Sequence, residues 1–204
     1  PTTPRLLSSA ASDVYKRQTY VSDKFSSLGA DIIDTDIIAH EIVLPGRSAL
    51  EEITDNFGKS VLQKDGALNR KLMRSIVFED SKKRLILESI LHPKIQNEVK
   101  NTITSLNGPY QIIVVPLLAK SPILKQVNRV LIIDCDEKKQ LKRLIKRDEI
   151  STKLARQIIS SQSDRKERLS IADDIILNDN DFDSLDTQIM NLHRYYLDLT
   201  KEVT

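Results

Sequence analysis

Glycine is scarce in this chain, and its head has none. Only five of the 204 residues are Gly, and the first is Gly29. A backbone loop that wraps phosphate needs glycine for tight turning and close approach, so residues 1–18 hold no such loop. Cysteine is nearly missing as well. Cys135 stands alone, which excludes an intrachain disulfide and points to a reducing, cytoplasmic setting. There is no Trp, and aromatics are few, so the interior must be mostly Ile, Leu and Val. No apolar run approaches the ~20 residues that cross a bilayer, and the head has no apolar stretch long enough for a secretory signal. An excess of one charge is absent too: 31 basic against 29 acidic residues leave a net +2. That balance does not argue for a nucleic-acid or membrane partner, and neither is expected. Oligomeric state is not legible.

What is present is an alternating pattern. Four short runs rich in Ile and Val, Ala30–Ile33, Gln111–Val115, Arg129–Ile133 and Asp174–Leu177, lack polar alternation. Such runs suit strands buried on both faces of a parallel sheet. Helical patterns lie between them, which predicts an α/β layered domain. The longest gap, Thr35 to Tyr110, carries stripes at Leu50, Ile53 and Phe57, at Leu72, Ile76 and Val77, and at Leu85, Leu87 and Leu91. Asp65-Gly66 marks a turn inside it and Gly108-Pro109 ends it. A helical insertion over about residues 37–108 is therefore expected. Helices are also predicted over Asp136–Asp148, over about Thr152–Leu169, and along a C-terminal stripe of Leu185, Ile189, Leu192, Tyr196 and Leu199.

Several residues can carry chemistry. Asp34-Thr35-Asp36 follows the strand ending at Ile33, where parallel sheets place their ligands. A carboxylate there can take a proton from a hydroxyl or hold Mg²⁺ through water; the same acids can cap a helix over Ile37–Val43. Pro116 ends the run Val114-Val115 and shapes the loop through Leu117 and Leu118. Arg143 and Arg147 are spaced i, i+4 on a basic helix, able to face a polyphosphate or simply to stay solvated. His92-Pro93 reads as a junction between two helices, with Pro93 at the first position of the second. His40 and His193 read as structural or exposed. The His and Cys spacing gives no zinc site.

Taken in order, these pieces resemble the dephospho-CoA kinase family from about Thr19 to the C-terminus. The likeness is carried by Leu28-Gly29, Ile33-Asp34-Thr35-Asp36, Pro45-Gly46, Leu91-His92-Pro93, Val115-Pro116-Leu117-Leu118, Gln140-Leu141-Lys142-Arg143, Arg147-Asp148, Gln162, Arg165 and Ala172-Asp173-Asp174. The resemblance implies a P-loop kinase fold: a parallel sheet flanked by helices, a helical substrate-binding insertion, and a lid over about residues 143–168. It implies transfer of the γ-phosphate of ATP, with Mg²⁺, to the ribose 3′-hydroxyl of dephospho-CoA, the last step of coenzyme A synthesis. By position, Asp36 resembles the general base, and Arg143 and Arg147 the lid arginines. Asp34, Gly46, His92, Pro116 and Leu117 fall at substrate-binding positions, and Asn178 falls in the loop against adenine. Thr19 takes the hydroxyl position that ligates the metal.

The sequence departs from the family in three places. The phosphate loop Gly-x-x-x-x-Gly-Lys-Ser/Thr is absent; in register with Thr19, Arg17 and Gln18 stand where Gly and Lys belong. Ala119-Lys120 follows Leu118, where the family often has an acid, and Asn178-Asp179-Asn180 lacks a closing glycine. Residues 1–18 have no initiator Met and read as a non-native or disordered head on a single domain, 19–204. Arg5-Leu6-Leu7 is a poor strand, so the first central strand of the sheet is expected to be missing and activity impaired. Two other readings are a small P-loop kinase for nucleoside monophosphates or another metabolite, and a catalytically dead binder of a CoA precursor.

Overall fold

The computed structural model describes residues 5–9, 15–115, 122–160, 165–178 and 181–202. Its elements are β1 (Arg5–Ser9), α1 (Tyr15–Ser27), β2 (Asp31–Asp34), α2 (Thr35–Glu41), α3 (Ser48–Phe57), α4 (Arg70–Glu79), α5 (Ser81–Ser105), β3 (Gln111–Val114), β4 (Arg129–Asp134), α6 (Glu137–Asp148), α7 (Thr152–Ser160), α8 (Arg165–Ser170), β5 (Asp174–Leu177) and α9 (Phe182–Glu202). They form two units, one of Pro1–Asp34 with Ser105–Thr204 and one of Thr35–Thr104.

The first unit is built on a five-stranded sheet in the order β2-β3-β1-β4-β5, with every pairing parallel. The four apolar runs form four of these strands, within a residue of the expected limits. All four residues of β3 are buried, as are Val130–Asp134 of β4, which fits strands covered on both faces. The edge strand β5 differs, because Ile175 and Leu177 are exposed. Its open edge is partly closed by Gln188 of α9: the amide Oε1 accepts the Leu177 N–H at 2.8 Å and Nε2 donates to the Leu177 carbonyl at 3.0 Å.

The expectation of a missing central strand is corrected. Arg5–Ser9 occupies that place, pairing Arg5↔Gln111 through Ser8↔Val114 on one side and Leu6↔Arg129 through Ser9↔Ile132 on the other. The physical reason lies in the backbone. A gap between β3 and β4 would leave two rows of N–H and C=O groups unpaired, and five residues without proline can close both ladders with little help from side chains. Within the stretch read as a head, Arg5–Ser9 is a strand and α1 begins at Tyr15.

Phe25, Tyr110, Tyr196, Leu131, Ile176 and Ile189 share the buried cluster on the sheet. Tyr110 and Tyr196 meet edge-on with ring centroids 5.6 Å apart, and Phe25 lies 6.2 Å from Tyr196. Each such ring buries ~150–250 Å². The three rings pack among the Ile, Leu and Val side chains of the same cluster. Asp186 of α9 accepts from Tyr20 and Lys24 of α1, both at 2.6 Å, which ties the two helices together. The C-terminal stripe is as expected: Leu185, Ile189 and Tyr196 are buried, and Leu192 and Leu199 pack beside them.

In the second unit, Val43, Leu50, Ile53, Val61, Met73 and Ile90 form the core. Asn69 caps α4, its Oδ1 accepting the Leu72 N–H at 3.0 Å. Asp65-Gly66 turns as expected, Asp65 Oδ1 accepting from Ala67 N at 3.0 Å. Two phases differ from the reading of the stripes: Leu72 and Leu85 are exposed, while Met73 and Ile90 point inward. The junction expected at His92-Pro93 is absent, because α5 runs continuously through Pro93. Proline there removes one i→i−4 hydrogen bond, but packed turns on both sides hold the helix together. Of the helix expected over Thr152–Leu169, α7 and α8 are seen, and residues 161–164 lie outside the described residues.

Candidate functional site

All five strands run the same way, so their carboxyl ends share one edge, where open parallel sheets bind ligands. Asp34 is the last residue of β2 rather than the first beyond it. Asp134, buried, ends β4. Asn178 follows β5 directly, and its N–H donates to the Asp134 carbonyl at 2.7 Å, which extends the β4–β5 ladder by one bond. Asn178 is fully buried as a result.

α6 enters from this edge. Asp136, two residues past the end of β4, is its N-cap, with Oδ1 accepting from Lys138 N at 3.0 Å and from Lys139 N at 3.3 Å. Leu144 is buried beneath the helix and fixes its rotation. That rotation carries Arg143 to Asn178: Nη1 donates to the Asn178 carbonyl at 2.8 Å and lies 3.2 Å from Cys135 Sγ. Arg143 and Asn178, expected in the lid and in the adenine loop, are thus brought into contact. Arg147 stands one turn further along α6, and its side chain lies outside the described residues, as do Pro116 and Leu117.

Thr19 is the fifth residue of α1 and is exposed.

The second unit holds the other candidates. Asp36 is exposed in the first turn of α2, where a carboxylate is favoured by the helix dipole. Gly46 has φ +85 in the link to α3. A Cβ there would meet nothing within 4 Å, so glycine is required for its backbone angle and not for space. His92 is exposed on α5. Beside these two positions lies a cleft of ≈370 Å³, lined in part by Arg47, Ser48, Glu52, Pro93, Lys94 and Asn97. Lys94 Nζ donates to Glu52 Oε1 at 2.8 Å and to Ser48 Oγ at 3.2 Å across it. Among the described residues no group of three or more His, Cys, Asp or Glu is gathered to hold a metal ion.

Sequence reasoning missed two features. The cleft joins residues more than forty positions apart, and no local pattern announces it. The pairing of Asp134 with Arg165 of α8 is equally non-local: Nε donates to Oδ1 at 2.8 Å and Nη2 donates to Oδ2.

The dephospho-CoA kinase family model matches residues 16–184. The chain belongs to the dephospho-CoA kinase family. Its relatives include dephospho-CoA kinases of Buchnera aphidicola, 41% identical over 91% of this chain and 89% of that one, and of Escherichia coli, 38% identical over 89% and 88%. Among solved structures it is similar to dephospho-CoA kinase from Campylobacter jejuni, with TM-score 0.74, 26% identity and 98% of each chain covered. TT1252 from Thermus thermophilus has a TM-score of 0.77 at 18% identity, covering 94% of this chain and 96% of that one, and shows the fold alone. Members of the dephospho-CoA kinase family are ATP-using phosphotransferases of the P-loop kinase type, and this chain has their α/β architecture. No helix among the described residues is long and apolar enough to cross a membrane.

Proposed function

We propose that this chain's reaction is transfer of the ATP γ-phosphate to the ribose 3′-hydroxyl of dephospho-CoA, in the cytoplasm, giving coenzyme A. The family match across residues 16–184 carries this reading. Asp36 is the general base: it accepts the hydroxyl proton and orients the oxygen. Phosphoryl transfer asks a protein mainly for positioning and for neutralising charge on the transferring oxygens. Arg143 and Arg147 supply cations, and α6 to α8 act as a lid that excludes water. Gly46, His92 and the cleft beside them receive the rest of the substrate, together with Asp34, Pro116 and Leu117. Asn178 lies against the adenine.

Residues 1–18, in this proposal, lack the family's phosphate cradle. Gln18 is neutral where a lysine belongs, and Arg17 blocks the close backbone approach that glycine permits. Mg²⁺ would offset the charge of the phosphates, and Thr19, exposed on α1, would offer it a hydroxyl ligand.

The test has two parts. Calorimetry with dephospho-CoA and no ATP should show binding, which separates this reading from a kinase for nucleoside monophosphates. In a chain carrying Ser12→Gly, Arg17→Gly and Gln18→Lys, Asp36→Asn should then lower the transfer rate about 10²–10⁴-fold while dephospho-CoA affinity holds. An unchanged rate would remove Asp36 from the role of base.

A further inference from the structure

Asp134 is only 3% exposed at the carboxyl edge of the sheet. The pairing of β1 with β4 ends at Ser9↔Ile132, so Asp134 stands two residues, about 7 Å, beyond the central strand on its neighbour. That corner flanks the place where a doubly wound sheet takes its ligand. A carboxylate this buried is strongly unfavourable without a matched cation. Arg165, the first residue of α8, meets it side-on through Nε and Nη2. A guanidinium has five N–H donors and this fork uses two. Three remain, and the side chain is 38% exposed. Asp136 and Glu137, whose charges also bear on Arg165, are rival partners on the same edge, and the Asp134 fork fixes which one it takes. Arg143 differs, because its Nη1 already contacts Asn178 and Cys135.

We propose that Arg165 contacts the polyphosphate of the nucleoside triphosphate and that Asp134 is its positioning residue. The pair is neutral, so its contribution is an oriented set of donors and not long-range attraction. This rests on the kinase reading above, and it adds a phosphate contact independent of the missing loop.

The probe is inorganic tripolyphosphate, alongside ATP, titrated calorimetrically into the full chain and three variants. Arg165→Gln should weaken tripolyphosphate at least ten-fold, and Arg165→Lys should fall between. The double variant D134N/R165Q replaces the ion pair with a neutral hydrogen-bonded one, so it should stay folded by circular dichroism and still lose tripolyphosphate. Dephospho-CoA binding without nucleotide should be the same in all. A merely structural brace would lower the melting temperature and leave tripolyphosphate affinity of the folded protein untouched; that result overturns the proposal, as does a failure of the unsubstituted chain to bind tripolyphosphate. Loss of dephospho-CoA binding in the unsubstituted chain would instead refute the kinase reading.

Discussion

Gly108 shows how much one missing side chain can matter. Its N–H donates to Asp31 Oδ2 at 2.6 Å, and a Cβ placed there would lie 2.5 Å from that oxygen and 2.7 Å from the carboxylate carbon. Gly108→Ala must displace the Asp31 carboxylate and disturb the bond that ties the start of β2 to the loop leading into β3. Urea unfolding should show a loss of about 1–3 kcal/mol; unchanged stability would mean that the two segments yield freely. His193 works in the opposite way, through a partner it has. Its Nδ1 lies 2.6 Å from the hydroxyl of Tyr110. Burial pushes the Tyr110 phenol up, so the phenol keeps its proton and donates it to a bare Nδ1. Burial, and then the charge of Arg194, push the His193 pKa below its ordinary 6.5. The unfolded chain therefore takes up the proton first. Stability from this pair is full above pH 6.5 and declines as pH falls from 6.5 through the lower folded value. The melting temperature should drop between pH 7.5 and 5.5, and in His193→Gln that drop should flatten. An equal slope in both proteins would remove His193 as its source.

At the level of elements, the sequence was most legible where burial imposes one composition over several residues. β3 and β4 have Ile, Leu or Val at seven of their ten positions because both faces are covered, and their runs stood out. α6 was legible for another reason: Asp136 and the Leu144 side of the helix follow local capping and periodicity rules. α5 was misread because Pro93 was taken as a local boundary, whereas α5 is held on both sides of the proline by Ile90 and Val99, both buried. The strain of that choice should still be measurable. Pro93→Ala restores an amide donor inside the helix and should raise the urea midpoint, with a gain in unfolding free energy of up to ~3 kcal/mol. A lower midpoint would show that the helix is shaped around the proline. β1 was illegible because Arg5–Ser9 earns its place through main-chain pairing on both sides, a property that depends on strands more than a hundred residues away. The Asp134–Arg165 pair and the cleft near Lys94 were hidden by the same kind of distance.

At the scale of the whole molecule, two things are joined in one chain. The body from residue 16 to 184 matches the dephospho-CoA kinase family, and it holds Asp36, Arg143 and Arg147, proposed above as base and lid arginines, and the cleft by Lys94. The head completes the sheet but starts α1 at Tyr15, with no glycine and no lysine at Gln18 to hold phosphate. Fold and donor-site chemistry are therefore separable here, since a strand needs only backbone pairing while a phosphate cradle needs particular residues. The most direct measurement of this claim is the rate of ATP-dependent phosphorylation of dephospho-CoA, by the chain as written and by its S12G/R17G/Q18K variant. The account predicts at least about a hundred-fold faster transfer in the variant, on the scale that placed charge and orientation contribute to such reactions. Equal rates in the two proteins would contradict it.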